Sequence, residues 1–112
     1  SLTHELALVD NDASVAERLH DASHRQFALA SAVTFVWTAF PYRTEWRYAE
    51  LSPKLIALDA GHVCQNLYIA AEAVGAGVCA IAAYRQSAVD AVLGVDGIEE
   101  FAVYMATVGK LG

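Results

Sequence analysis

Charge is scarce in this sequence, and positive charge is scarcer still. Charged residues make up 18% of the 112, against about 25% in ordinary soluble domains. Lysine and arginine number 7 against 13 aspartates and glutamates, a formal net charge of −6. Nucleic acid and anionic membrane surfaces are bound by a basic face, so neither is expected as a partner. No stretch reaches the ~18 unbroken apolar residues of a membrane-spanning helix. Cysteine is limited to Cys64 and Cys79. Both lie inside apolar stretches and are expected to be buried free thiols, which fits a reducing cytoplasm.

Apolar residues are abundant instead, at 56%, against about 45–50% in typical domains. A chain of this length forms one domain and buries roughly two-thirds of its extended surface. The surplus apolar area therefore points to a cover, either a second copy, another segment or a flat ligand. A homodimer or larger assembly is expected, with the helix over residues 55–74 substantially buried in it.

The stretch from Leu58 to Tyr84 organises the rest. Leu58, Val63, Leu67, Ile69, Ala70 and Val74 recur at helical spacing among small residues, which predicts a central helix packed on more than one side. Gly75 and Gly77 stand where that helix must end, in the positions of a C-terminal cap. The uncharged run Val78 to Tyr84 reads as a strand covered on both faces. Upstream, His4 to Val9 alternates like a short entry strand before the turn cluster Asp10-Asn11-Asp12. Ser14 and Glu17 have capping-box spacing for a helix to about Ala28. Ser31 to Phe40, β-branched and aromatic and closed by Pro41, predicts a central strand. Pro41 to Pro53 is a polar connection with aromatic anchors, the place where chemistry is most expected. Ser87 caps a short helix to Leu93, Gly94 ends it, and Phe101 to Val108 forms the last strand. The expected order is β-α-β-loop-α-β-α-β.

Several patterns favour structural readings. His20 and His24 are four apart, but Asp21 breaks the HExxH pattern and no metal is expected. Gly75-Ala76-Gly77 follows a helix, whereas phosphate loops precede one. Ser87, His62 and Asp59 lack a nucleophile elbow. His62, Gln65 and Asn66 are either satisfied core polar groups or groups facing a ligand.

The strings TEWRYAE, DAGHVCQNLYIAAEAVGAGVCAIAAY, AVLGVDGIEEF and the terminal VGK together resemble the azoline-oxidising, SagB-type branch of the nitroreductase-like FMN oxidoreductases, most specifically from Arg43 to Gly109. The resemblance implies an α+β fold with an antiparallel sheet flanked by helices around a long central helix, FMN bound at a dimer interface, and oxidation of thiazolines or oxazolines in a peptide to azoles. The alternatives are an NAD(P)H-dependent reductase of nitro compounds or quinones, acting on a small molecule, and a non-catalytic scaffold half of a peptide-modifying complex.

By the same resemblance, the backbone N–H groups of Ala82 and Ala83 face the N5 and O4 edge of the flavin, where fixed amide dipoles tune its potential. Lys110 reaches the FMN phosphate. Arg47-Tyr48 falls where the branch carries a catalytic Lys-Tyr pair. Tyr48 is then the proton relay, and Arg47, too basic to act as a base, serves through its charge. The family's arginine- and serine-rich phosphate-binding segment has no counterpart in residues 1–112, so the single domain is expected to be a fragment of a longer protein or a degenerate half, and to bind FMN weakly by itself.

Overall fold

A computed structural model of the chain describes residues 6–8, 10, 12–23, 31–42, 46 and 49–110. Helix α1 (Val15–Ala22) leads to strand β1 (Val33–Ala39). A 3-10 turn (Ala49–Leu51) then opens the long helix α2 (Ser52–Ala73), followed by β2 (Ala76–Ile81), α3 (Gln86–Leu93) and β3 (Phe101–Lys110). The α+β class and the long helix agree with the sequence. Of the expected entry strand, Leu6 to Leu8 are not in a strand and its other residues lie outside those described, as do residues 24–28 of the first helix.

The three strands form an antiparallel sheet in the order β1-β3-β2. Among the described residues β3 is therefore the central strand, a correction to the expectation for β1. The burial explains it: Ala102, Met105, Ala106 and Thr107 of β3 are buried, whereas β1 alternates between exposed and half-buried positions. Strand β2 is an edge strand that ends at Ile81, not a doubly covered strand reaching Tyr84. Because β1 and β2 both run antiparallel to β3, they are parallel to each other and need a crossover. The 22 residues of α2, about 33 Å of helix, supply it. Tyr68 on α2 accepts a hydrogen bond from the Ala80 N–H of β2 at 3.0 Å, which satisfies a donor on the sheet. Cys79 on the same strand is exposed, against expectation, while Cys64 is buried.

One face of the sheet is the core. Leu19 and Ala22 of α1, Val89 of α3 and Ile81, Ala102 and Met105 of the sheet are buried together, with Val36, Tyr84, Ala88, Val92 and Leu93 packed against them. The other face carries α2. A register shift between Trp37 and Thr38 leaves Val103 of β3 without a partner on β1, as an extra residue in a bulge does. Val103 meets Ile56 and Ala57 of α2 across a cavity, and the next residue, Tyr104, hydrogen-bonds Cys64 of α2.

Helix α2 is less central than its sequence predicts. Within one chain it buries Ser52, Cys64 and Ala71, while Leu58, Val63, Ile69 and Val74 are exposed. His62, Gln65 and Asn66 are exposed as well, so they are not core polar groups of this chain.

The helix ends follow backbone needs more than side-chain caps. Gly75 (φ 73°) and Gly94 (φ 75°) take the left-handed conformation just past their helices, as expected of C-terminal glycines, whereas Gly77 lies inside β2. Ser14 makes no capping bond; its N–H donates to Asp12. The cap of α3 is Arg85, not Ser87, and the Arg85 N–H donates to the Ala22 carbonyl at 2.8 Å, tying α3 to the end of α1.

Asp90 joins α3 to β3. Its buried carboxylate accepts the Ala102 N–H at 2.7 Å and the Gln86 side-chain amide at 3.2 Å. Gly97 (φ 78°) passes so close that a Cβ there would lie 3.1 Å from the Asp90 carboxylate. Gly97→Ala is thus expected to destabilise the fold by at least about 1–2 kcal/mol, the cost of left-handed backbone for an L-residue, read as a lower Tm. An unchanged Tm would mean that this turn re-forms in another conformation at no cost.

Candidate active site

A cavity of about 790 Å³ opens between the exit of β1, the first turns of α2 and the start of β3. Phe40, Pro41 and Tyr42 wall one side, Ser52, Pro53, Ile56 and Ala57 the second, and Ile98, Glu99, Phe101 and Val103 the third. That volume falls within the range of small-molecule sites, and apolar walls with few polar groups are their usual make-up. Pro41, Tyr42 and Trp46 are helical, so the segment after β1 is not the plain loop its polarity predicts. Tyr42 and Trp46 are strongly exposed, at 76% and 83%.

The sequence marked this region but missed most of the wall. Ser52, at the start of α2, is fully buried and its hydroxyl has no partner among the described residues. The loop bearing Ile98 and Glu99 is organised by Asp96, whose Oδ1 accepts the N–H groups of Ile98, Glu99 and Glu100 at 2.8, 2.8 and 3.1 Å. Those bonds, chiefly from Glu100 and then Ile98, hold the Asp96 carboxyl below its ordinary pKa. The Asp96-Gly97 dipeptide was the available signal, since aspartate bonds its own following backbone and glycine accepts positive φ.

Ala82 and Ala83 follow the last residue of β2 and are exposed. Ile81 pairs with Met105, so the alanines leave the sheet toward the start of β3, the same end as the cavity. Exposed alanines put little bulk between their backbone and whatever approaches it. The connection is also held firmly. Beyond its backbone bond, the Arg85 guanidinium donates to the Asp21 carbonyl at 3.3 Å, near the end of α1.

Lys110 is not brought to this site. It pairs with Ala76 at the opposite end of β2, six residues from Ala82, about 20 Å at strand rise. There it borders a shallow cleft of about 290 Å³ with Ser31 and Gly109.

Arg47 and Tyr48 lie outside the described residues. Their neighbour Ala49 has φ 48°, left-handed backbone that costs an alanine about 1–2 kcal/mol. Strain of this kind in a non-glycine residue gathers at functional sites. No sequence signal foretold it.

Two other polar groups are structural. Burial raises the Cys64 thiol above its ordinary pKa, partly offset by its hydrogen bond with Tyr104. Burial, with smaller effects from Cys64 and Tyr68, raises Tyr104 in turn. A thiol held protonated is a poor nucleophile.

Comparison with known proteins agrees with this architecture. A protein of Anabaena variabilis assigned to the nitroreductases superposes with a TM-score of 0.81 at 24% identity, over 87% of this chain and 20% of its own. Nitroreductase A of Vibrio parahaemolyticus gives 0.75 at 20% identity, over 92% and 48%. The Escherichia coli microcin synthetase McbBCD complex, with truncated pro-MccB17 bound, gives 0.67 at 16% identity, over 70% and 30%. These likenesses are of fold, and the chain spans a fifth to about half of those chains. No curated protein matches. The model of the nitroreductase family matches residues 2–110, and the chain belongs to that family.

Proposed function

We propose that this chain is part of an FMN-dependent oxidoreductase that dehydrogenates azoline rings in a modified peptide. Membership of the nitroreductase family supports the class, a flavin oxidoreductase. The observation that carries the finer reading is the position of the 790 Å³ apolar cavity at the end of the sheet where Ala82 and Ala83 emerge. The likeness to a synthetase complex with a peptide bound favours a peptide as substrate. Converting an azoline to an azole removes a hydride and a proton. FMN, when bound, supplies the two-electron acceptor for the hydride.

The chain's own residues do the rest. Ala82 and Ala83 present backbone donors to the ring edge, the apolar walls exclude water, and Tyr48 receives the proton with Arg47 beside it. Lys110 serves the phosphate only if the flavin lies along β2, and the reading does not depend on it. The exposed apolar residues Leu58, Val63 and Ile69 of α2 and Val74 just after it are covered in our reading by a second copy, which sedimentation of the full-length protein tests: a monomer at micromolar concentration refutes the dimer.

The function is tested by purifying the full-length protein and incubating it with azoline peptide. Flavin absorption together with loss of two hydrogens per ring is expected. Reduction of nitro compounds or quinones by NAD(P)H, with the peptide untouched, would make the protein a reductase; no flavin at all would leave a scaffold.

A further inference from the structure

Glu99 stands out in the cavity wall. The other described walls are aromatic, aliphatic, proline or serine, and no lysine or arginine is among them. Its neighbour Glu100 is engaged, since the Thr38 hydroxyl donates to its carboxylate at 2.6 Å. The one ion pair among the described residues, Arg18 with Asp10, lies on α1 and the turn before it. Glu99 is thus the one charged residue among those lining the cavity, and its carboxylate has no partner among the described residues. The backbone that carries it is held in place: the Glu99 N–H donates to Asp96 at 2.8 Å, and the Gly97 N–H donates to the Glu100 carbonyl at 2.9 Å. A loop ordered beforehand costs less to order when a ligand binds.

The amino end of α2 meets the same cavity through Ser52 and Pro53 and opposes this charge. A helix terminus is worth only roughly half a positive charge, so the full carboxylate prevails, and the chain's charge of −6 adds to it. Phe40, Tyr42 and Phe101 supply ring faces that also attract cations.

We infer that Glu99 determines specificity and that the cavity selects a ligand with an apolar or aromatic body carrying a cationic group. Under the proposed function this is a basic group close to the ring to be oxidised, so the inference rests on reading the cavity as the substrate site. The test is calorimetric titration of the full-length protein with 2-phenylethylamine, 2-phenylethanol and 3-phenylpropionate. The amine is expected to bind about 3- to 10-fold more tightly than the alcohol, and the carboxylate more weakly than both. High salt should narrow the gap. Glu99→Gln should abolish it, and Glu99→Lys should invert it.

Equal affinities in the parent protein, a preference that survives Glu99→Gln, or no binding by any of the three would overturn the inference. Flavin content and peptide turnover, measured on the same preparation, report separately on the oxidoreductase reading. An amine preference without flavin sinks that reading alone, and flavin with turnover but no amine preference sinks this one alone.

Discussion

Replacing Tyr48 by phenylalanine in the flavin-loaded full-length protein is expected to slow azoline oxidation by about 10²–10⁴-fold, the usual cost of losing a positioned acid–base group. The substrate must give up a proton as its hydride leaves, and a phenol within hydrogen-bond reach can take it. An unperturbed phenol, with a pKa of about 10, is a poor base at neutral pH, but an adjacent guanidinium favours the phenolate. Arg47→Leu is accordingly expected to move the rate profile to higher pH, which a purely structural arginine would not do. Tyr42→Phe is the control, because Tyr42 lines the cavity and carries a phenol. If Tyr42→Phe carries the loss and Tyr48→Phe oxidises the peptide at the parent rate, the relay belongs to Tyr42. Flavin absorption and thermal stability should be unchanged in the Tyr48 variant.

The candidate site was legible where local chemistry marks it and hidden where chain crossing makes it. Aromatic and charged residues packed between a proline-closed strand and a long helix drew attention to Pro41 through Pro53, and the cavity opens there. The opposite wall comes from Ile98, Glu99 and Phe101, more than forty positions later in a sequence that shows only an Asp-Gly turn. What brings them across is the pairing of Ala39 with Phe101, a non-local contact with no local signature. Lys110 shows the converse. Its place at the end of a terminal VGK agrees with a phosphate contact by resemblance, yet antiparallel pairing with Ala76 sends it to the far end of the sheet.

The fold divides in the same way. Glycine stops were readable because the requirement is local: Gly75 and Gly94 both have positive φ. Caps were less readable: Ser14 stands at the N-cap of α1 without making a side-chain capping bond, and Arg85 rather than Ser87 caps α3. Strand order was misjudged because apolar content does not say what covers a residue or on which side. Trp37, Phe35 and Val33 made β1 look central, yet Phe35 and Val33 are exposed at 41% and 45%, and Leu58, Val63 and Ile69 of α2 are exposed too. Single exposed apolar residues are ordinary on a folded surface, so a greasy strand is not thereby an inner one.

Asp90→Ala is expected to destabilise the domain by about 2–4 kcal/mol, the largest stability effect of any single change considered. The Asp90 carboxylate is buried at 4% exposure and accepts from a main-chain donor, the Ala102 N–H, on a residue exposed by only 1%. Truncation leaves that N–H without an acceptor at the point where β3 begins, and it removes one of the two acceptors of the Gln86 amide, which keeps the Ala102 carbonyl at 2.8 Å. Bonds to a charged acceptor contribute about 1.5–3 kcal/mol, and a stranded buried donor costs a further fraction of that. Asp90→Asn should cost less, because one amide oxygen can still accept from Ala102 while its NH₂ faces the Gln86 donor. The two variants therefore rank in a defined order, readable as denaturant midpoints at constant m-value.

A second readout separates the charge from the packing. Burial chiefly, and then the charge of Asp90, raises the Tyr84 phenol above its ordinary pKa. Both variants remove that charge, so the Tyr84 titration, followed by ultraviolet absorbance with a Tyr84→Phe reference, should move down in each. If Asp90→Ala unfolds within about 0.5 kcal/mol of the parent, the range of an ordinary surface substitution, then α3 and β3 are held together by core packing and by the Gln86 bond to the Ala102 carbonyl, and the carboxylate that bridges them contributes nothing to the fold.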